Sequence, residues 1–504
     1  AQTSQLYSRF FSKKSERGLR EAFETLQWLI TALVLALFFR AAIMEAYRIP
    51  TGSMATTLKG SHFRLYCHNC GFDFERGFDP ADYEYPADSL PPDGKAIPYD
   101  CQCPNCGYKF KYEQPIWVSA GDRILVLKCQ YQFVEPKRWD VIVFKEPAEP
   151  TSNVIKRLVA LPGETVEIVD GDIYINGKIA RKPDSLQQRL WVPVYNNDYQ
   201  PVKIDNESSR ARLWDFPWQY NLSKWNVDGA SFKLICDSDA MCELTYDDSQ
   251  RNGLKASYAY NGSVFRDDGP YCGDLKIDYC LQGRGDVSAG IELTENGQTW
   301  RGWTANGMMY IGGAANGRIE MLVEKSFTGA WENGVLISFA KVDRRLIFQC
   351  DEDSISYDLG DEPNSLGEMI IDDAPVVKIL AAGEVRISHL AIFRDIYYTC
   401  EHFAGESEKA RAATGNSFKL EADEYFVLGD NSPNSYDGRW WTRPGIGNNG
   451  KTYRPGIVPR DYLLGRAVYV YWPNGFRPFE KFRTAMIPNF GQMRFIYGGS
   501  DSKN

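Results

Sequence analysis

One stretch of this chain, residues 23–43, is apolar for long enough to cross a lipid bilayer, and it limits the possible folds more than any other feature. No charged residue occurs between Leu26 and Phe39. A membrane-spanning helix needs about 20 mostly apolar residues. A cleaved signal peptide is the alternative, but residues 41–43 make a poor small-residue cleavage site. The sequence therefore predicts a retained transmembrane helix over residues 23–43.

Basic residues predict the orientation of this helix. Five of them precede it, namely Arg9, Lys13, Lys14, Arg17 and Arg20. Near its other end stand only Arg40 and Arg48. Because basic flanks stay on the cytoplasmic side, residues 1–22 are predicted to be a cytoplasmic N-terminus. The protein would then be a single-pass protein of the cell (inner) membrane, with everything from residue 44 onward extracytoplasmic.

The roughly 460 residues after the helix exceed one ordinary domain. The formal net charge of the chain is -9. Nucleic-acid partners need a strongly basic surface, so the charge excludes that class of function. The sequence predicts only a lipid bilayer as partner at this stage.

Ser53 and Lys156 are the first candidate chemical groups. Ser53 ends a Thr-Gly-Ser tripeptide just beyond the apolar stretch, and Lys156 lies within the strand-like apolar run 154–160. A serine hydroxyl needs an adjacent base, and a lysine can serve if burial among apolar neighbours lowers its pKa. A solubilising lysine at a strand edge is the alternative. The four histidines (His62, His68, His389 and His402) lie in no familiar nucleophile motif.

Five segments resemble one family, the bacterial type I signal peptidases. Residues 47–54 resemble its serine box, 121–126 and 139–144 its two strand-forming boxes, 154–168 its lysine box, and 429–439 its Gly-Asp-Asn box. They occur in the order of the family, after one anchor. Departures include Thr51, where the family often has serine, and Thr56, where it usually has proline.

The resemblance implies the activity and the roles of residues. Ser53 would be the nucleophile and Lys156 the general base of a serine endopeptidase that cleaves signal peptides from exported pre-proteins. The hydroxyl of Thr51 and the backbone N–H of Ser53 would form the oxyanion hole. Ser435 would hydrogen-bond the amine of Lys156. The remaining supporting residues would be Arg157, which supports the strand, and the ion pair of Asp437 with Arg439. No cofactor for catalysis is implied. Asp430 and Asn431 are interpreted as turn-forming residues.

Two Cys-x-x-Cys-Gly motifs contribute Cys67, Cys70, Cys103 and Cys106. Four thiolates at this spacing can close a tetrahedral structural zinc site. The predicted zinc ribbon, residues 66–112, is an insertion between the serine and the lysine. Disulfides remain an alternative, since an oxidising compartment permits them. Within the central region, Cys236 with Cys242 and Cys272 with Cys280 are plausible pairs.

The fold is predicted to be mostly β, with a catalytic core whose first part is residues 44–183 and whose second part, with the C-terminal tail, is residues 418–504. Between them, residues 184–417 carry many short alternating apolar runs separated by Gly, Asn and Asp. This pattern favours an inserted β-sandwich. Residues 225–229 and 343–348 resemble concanavalin or laminin-G jelly rolls. The ligand of the insert, a glycan or a protein, stays open.

The sequence as a whole predicts a membrane-anchored Ser–Lys endopeptidase of the signal peptidase I type. One alternative is a non-catalytic, glycan-binding surface protein with a degenerate peptidase domain. A cytoplasmic Ser–Lys self-cleaving repressor is disfavoured by the anchor. A peptidase specialised for a few pre-proteins would suit the large insert.

Overall fold

The computed structural model describes residues 23–499 apart from 41, 100, 202–216, 237–240, 248–253, 263–268, 316, 363–373, 401–409, 448–449, 474 and 476–486. The predicted cytoplasmic segment, residues 1–22, lies outside the described residues. Phe23–Arg40 forms an 18-residue apolar helix whose side chains are exposed within the described part of the protein. Its length and composition are those of a membrane span, consistent with a single-pass anchor.

Both ends of the described chain build one antiparallel eight-stranded sheet, the core sheet. In spatial order its strands are Met44–Arg48, Arg123–Leu127, Leu463–Trp472, Val141–Glu146, Glu149–Ala160, Glu424–Leu428 and Val458–Pro459, with Arg494–Phe495 beside Leu463–Trp472. Along Arg123–Leu127 buried side chains alternate with more exposed ones. The central strands Val141–Glu146 and Glu424–Leu428 instead carry consecutive buried side chains, so the sheet is covered on both faces there. This pairing brings residues 44–160 next to residues 424–495.

Smaller sheets flank the core sheet. One has the order Lys178–Ile179, Asp172–Ile175, Thr165–Val169 and Phe418–Lys419; another has the order Asp73–Gly77, His62–Tyr66, Ile116–Ser119 and Lys95–Ala96. Two-stranded sheets pair Cys101–Gln102 with Lys109–Phe110 and Gly445–Ile446 with Thr452–Tyr453. The other helices are Gln130–Phe133 and Asp184–Leu190, and the 3-10 turns are Pro80–Tyr83, Ala259–Asn261, Trp331–Asn333, Ser432–Asn434, Arg460–Tyr462 and Phe490–Gln492.

The predicted insert contains a thirteen-stranded hydrogen-bonded sheet. Its path runs Trp218–Tyr220, Cys242–Tyr246, Val376–Arg394, Leu275–Glu295, Gln298–Ala305, Met308–Ala315 and Arg318–Ser326; Val192–Asn196, Trp225–Asp228, Ser231–Cys236, Val335–Val342, Arg345–Cys350 and Asp353–Asp358 pair alongside. Buried side chains such as Phe232, Ile277 and Phe339 form its own apolar core. The prediction of a mostly β protein is confirmed. The likeness to concanavalin or laminin-G domains stays a prediction.

Candidate active site

Ser53 lies on a compact loop, residues 49–61, which we call the serine loop. Its backbone is closed by hydrogen bonds from Ala55 N to Gly52 O (3.0 Å) and from Ser61 N to Pro50 O (3.0 Å). A residue outside the serine loop also stabilises the loop, because Asp122 Oδ2 accepts a hydrogen bond from Lys59 N at 3.0 Å. The loop therefore has a fixed shape, with Ser53 buried within it.

Lys156 lies in the strand Glu149–Ala160, opposite Ile142 of the neighbouring strand. Its side chain is buried, and its Nζ is 2.6 Å from Ser53 Oγ. Burial lowers the pKa of Lys156 to about 8, because the ammonium loses its contact with water. The carboxylates of Asp437, Asp430 and Glu146 act against this decrease, and the guanidinium of Arg439 adds to it. An amine with this pKa can accept a proton near neutral pH.

Residues 429–439, which we call the C-terminal loop, cover the other side of the pair. Ser435 Oγ donates to Asp437 Oδ2 at 2.7 Å. Its predicted hydrogen bond to the amine of Lys156 stays a prediction. Asp437 accepts two hydrogen bonds from the guanidinium of Arg439, at 2.8 and 2.7 Å, and a third from its backbone N–H at 3.2 Å. Arg439 also donates to Ser432 Oγ at 2.6 Å. The loop is thus held by buried, charge-assisted hydrogen bonds.

A glycine permits the close approach of the two loops. A Cβ on Gly429 would lie 2.2 Å from Ser435 Oγ and 2.5 Å from the carbonyl oxygen of Ser53. Any side chain at this position would therefore force the C-terminal loop away from the serine loop.

Arg157 points to the opposite side of its strand from Lys156 and forms a buried ion pair with Asp430, at 2.7 and 2.6 Å. It also donates to Trp139 O at 2.8 Å. Asp430 was interpreted from the sequence as a turn residue only, so this pairing was missed. The sequence could have suggested such a pair, because an arginine that is buried in the strand beside Lys156 needs a carboxylate partner.

Thr51, two residues before Ser53, is exposed. Within the described part of the chain, no hydrogen bond of its hydroxyl is present, so the hydroxyl is available to a ligand. Asn431, also interpreted as a turn residue, donates from Nδ2 to Gly52 O at 3.0 Å and from its backbone N–H to Ser53 O at 3.0 Å.

The sulfur atoms of Cys67, Cys70, Cys103 and Cys106 lie within 4.8 Å of one another. Two of the separations are 3.7 Å (Cys67 to Cys106) and 3.6 Å (Cys70 to Cys103). Four thiolates about 2.3 Å from one zinc ion would be roughly 3.8 Å apart, whereas a disulfide needs about 2.05 Å. The cluster therefore fits a tetrahedral metal ion. Cys101 does not join it, and its Sγ lies 3.7 Å from Pro98 O.

The two cysteine pairs predicted for the central region differ in their geometry. Cys236 Sγ and Cys242 Sγ approach to 2.6 Å on neighbouring parts of the insert sheet. Cys272 donates its backbone N–H to Leu254 O at 2.6 Å, whereas Cys280 lies in the strand Leu275–Glu295, opposite Ser388. Both pairings stay predictions.

Comparisons with known proteins find similarity in two segments of the chain, each of which contributes strands to the core sheet. The family model "Signal peptidase, peptidase S26" matches residues 117–210 and 384–472. These ranges include Lys156 and the C-terminal loop but not Ser53 or the cysteine cluster. The signal peptidase I of Rickettsia typhi is 26% identical over 165 residues, 33% of this chain and 46% of the relative. That of Rickettsia canadensis is 28% identical over 154 residues, 30% of this chain and 43% of the relative.

The chain thus spans less than half the length of these curated relatives. Among solved structures, a Bacillus licheniformis β-glucanase is 7% identical, covers 36% of this chain and 95% of its own, and has a TM-score of 0.25. A similarity of that size carries no inference about the insert.

Proposed function

We propose that this chain, a relative of the type I signal peptidases, is a membrane-anchored serine endopeptidase that removes signal peptides from exported pre-proteins. The observation that carries this proposal is the buried 2.6 Å contact between Lys156 Nζ and Ser53 Oγ. A serine and a desolvated lysine at hydrogen-bond distance form a nucleophile with its base.

In this mechanism the neutral amine of Lys156 takes the hydroxyl proton as Ser53 Oγ attacks the scissile carbonyl. The tetrahedral intermediate collapses to an acyl-enzyme, and Lys156 gives the proton to the leaving amine. Water, deprotonated by the same amine, then hydrolyses the ester and restores Ser53. No cofactor takes part.

The oxyanion would be held by the hydroxyl of Thr51 and the backbone N–H of Ser53. The exposure of Thr51 supports this role, since its hydroxyl has room to turn toward a substrate. Arg157, Ser435, Asp437 and Arg439 would act as supporting residues. Their buried hydrogen bonds fix the strand and the C-terminal loop around the amine.

Membrane attachment fits the same function. Phe23–Arg40 would anchor the enzyme with its N-terminus in the cytoplasm and the catalytic core outside. Pre-proteins bring their own apolar segment into the same bilayer. Each would bind as an extended strand, with small residues at the cleavage site.

The domain arrangement and the zinc site also belong to this proposal. Residues 44–183 and 418–504 would form the catalytic core, residues 66–112 a zinc ribbon and residues 184–417 a separate insert. Zinc would be structural, because four cysteine thiolates leave no position open for water. Whether the insert binds a glycan or a protein is a question for binding experiments.

Cleavage of a purified pre-protein by the full chain in detergent tests the proposal. Ser53→Ala and Lys156→Met should each lower kcat by about 10⁴-fold or more, as for members of other catalytic dyads and triads. Ser223→Ala and Lys233→Ala change the same residue types at exposed positions of the insert and should leave cleavage unchanged. Continued cleavage by Ser53→Ala would show that the nucleophile is another residue.

A further inference from the structure

A short segment of the insert, residues 258–261, reaches the serine loop. Tyr258 donates its hydroxyl to the carbonyl oxygen of Asp430 at 2.9 Å, and Tyr260 donates its hydroxyl to Ser61 O at 3.1 Å. Both tyrosines and Asn261 are buried. The segment therefore contacts both loops that surround Ser53.

Asn261 pairs with Asn431 through two amide hydrogen bonds. Asn261 Nδ2 donates to Asn431 Oδ1 at 2.8 Å, and Asn431 Nδ2 donates to Asn261 Oδ1 at 2.7 Å. The same Nδ2 of Asn431 donates to Gly52 O at 3.0 Å. The orientation of the Asn431 amide, and so its bond to Gly52, is fixed by the insert residue.

This bond matters because the carbonyl of Gly52 and the N–H of Ser53 belong to one peptide unit. That unit is planar, and in the trans form its C=O and N–H point in opposite directions. The carbonyl is held from two sides, by Asn431 Nδ2 and by Ala55 N (3.0 Å). Fixing the carbonyl therefore fixes the direction of the Ser53 N–H.

Tyr260 restricts the same peptide sterically. Its ring lies against Gly52, where an added Cβ would be 2.3 Å from Cε1. Glycine is otherwise the residue with the greatest backbone freedom. The ring closes one side of Gly52, so the peptide that precedes Ser53 has less room to rotate.

We infer that Asn261 is a positioning residue for catalysis, contributed by the insert. Through Asn431 it orients the Gly52–Ser53 peptide so that the Ser53 N–H points at the oxyanion, and Tyr260 keeps that peptide in place. This inference rests on the proposed function. It makes the insert part of the catalytic apparatus, since Asn261 supplies two of the three hydrogen bonds described above for the Asn431 amide.

Kinetics of the full chain in detergent test the inference. Asn261→Ala should lower kcat for pre-protein cleavage by about 10- to 100-fold, less than the loss of a whole oxyanion donor. KM should stay the same, because binding of the uncleaved substrate does not use the oxyanion hole. The pH at which activity is half-maximal should also stay the same, since Lys156 is not altered.

A peptide aldehyde ending in alanine gives a second readout. Ser53 Oγ adds to its carbonyl carbon, the hydroxyl proton moves to Lys156, and the resulting hemiacetal oxygen occupies the oxyanion hole. Asn261→Ala should weaken aldehyde binding by about the same factor as kcat/KM. The affinity of the matching peptide alcohol, which has no carbonyl to attack, should not change.

Three variants serve as controls. Gln219→Ala removes a similar amide from an exposed position of the insert, where it bonds Asp247, and should behave like the wild type. Asn261→Asp keeps the size of the side chain but cannot donate to Asn431, so it should fold and also lose kcat. Asn431→Ala combined with Asn261→Ala should be no worse than Asn431→Ala alone.

The outcomes separate the two proposals. If the wild type cleaves, Ser53→Ala does not, and folded Asn261→Ala or Asn261→Asp retains the wild-type kcat per active site, the positioning role is wrong and the peptidase remains. If Asn261→Ala only lowers the folded fraction, with unchanged kcat and aldehyde affinity, its role is structural and the inference is overturned. If the wild type itself does not cleave pre-proteins, the proposed function fails first.

Discussion

Lys156 shows how one residue can change its chemistry through its surroundings. In water its ammonium would hold its proton far above neutral pH. Within the core sheet, the loss of water lowers its pKa to about 8. The nearby carboxylates Asp437, Asp430 and Glu146 prevent a larger decrease. The same charges therefore set the pH range over which this amine can act as a base.

The pH dependence of cleavage follows from this balance. Only the neutral amine accepts a proton, so kcat/KM should fall about tenfold per pH unit below about pH 8 and reach a plateau above it. Glu146→Gln removes a negative charge that favours the ammonium, and it should shift the midpoint to lower pH. The measurement is kcat/KM from pH 6 to about 10 in constant ionic strength.

The exposed variant Glu352→Gln is a control for a change of net charge and should leave the midpoint where it is. A profile that is flat across pH 8, or one that Glu146→Gln moves upward, would contradict the role of Lys156 as base.

The ion pair between Arg157 and Asp430 is a second residue-scale feature, because both side chains are fully buried. Asp430→Asn leaves the arginine charge without its counter-ion. Such a change typically costs about 3–5 kcal/mol of the free energy of unfolding. Denaturant unfolding in detergent measures it.

Glu243→Gln provides the comparison, since Glu243 pairs with Lys378 on the surface. Exposed pairs contribute about 0–1 kcal/mol. Equal losses for the two variants would mean that the buried pair does not stabilise the active-site strand.

At the scale of elements, the cysteine segment is the most testable. Gly71 and Gly107 have positive φ angles of 80° and 69°, and each donates its N–H to the first cysteine of its motif. Glycine adopts this conformation without steric cost, so the backbone curls around the cluster. The local sequence therefore brings four thiols into an arrangement that could hold a metal ion.

We expect one zinc ion per chain by atomic emission, and Cys70→Ser should lose it together with part of the thermal stability. A structural zinc site supplies folding free energy, which is why its loss should lower Tm. Cys101→Ser changes a buried cysteine outside the cluster and should keep the metal. Metal-free wild-type protein with disulfides at these four cysteines would refute the site.

The segment that carries the four clustered cysteines is also hydrogen-bonded to residues 196–199. Asn105, within the second cysteine motif, donates to Tyr199 O at 3.1 Å and accepts from Asn196 N at 2.7 Å. The sequence predicted two separate insertions and gave no reason to expect a contact between them. Hydrogen bonds between residues about ninety positions apart depend on how the elements pack, which local patterns do not encode.

For the whole molecule, the exposed helix Phe23–Arg40 is set apart from the packed sheets. We expect a chain that lacks residues 1–40 to keep the Tm of the full chain, because the helix is exposed among the residues that the structure describes. It should no longer float with lipid vesicles in a density gradient. Full flotation of the shortened chain would show that residues 1–40 are not the anchor.

The sequence by itself determined the elements whose signals are local. Apolar length predicted the helix, alternation and turn residues predicted a mostly β protein, and motif spacing predicted which cysteines cluster. Resemblance to a family selected Ser53 and Lys156, which lie 103 positions apart.

Only the tertiary structure decided which side chains meet. It paired Asp430 with Arg157, and Asn431 with both Gly52 and Asn261. These contacts join residues up to 379 positions apart. They arise because strands from both ends of the chain share one sheet and the insert packs against it. No pattern within a few neighbouring residues contains that information.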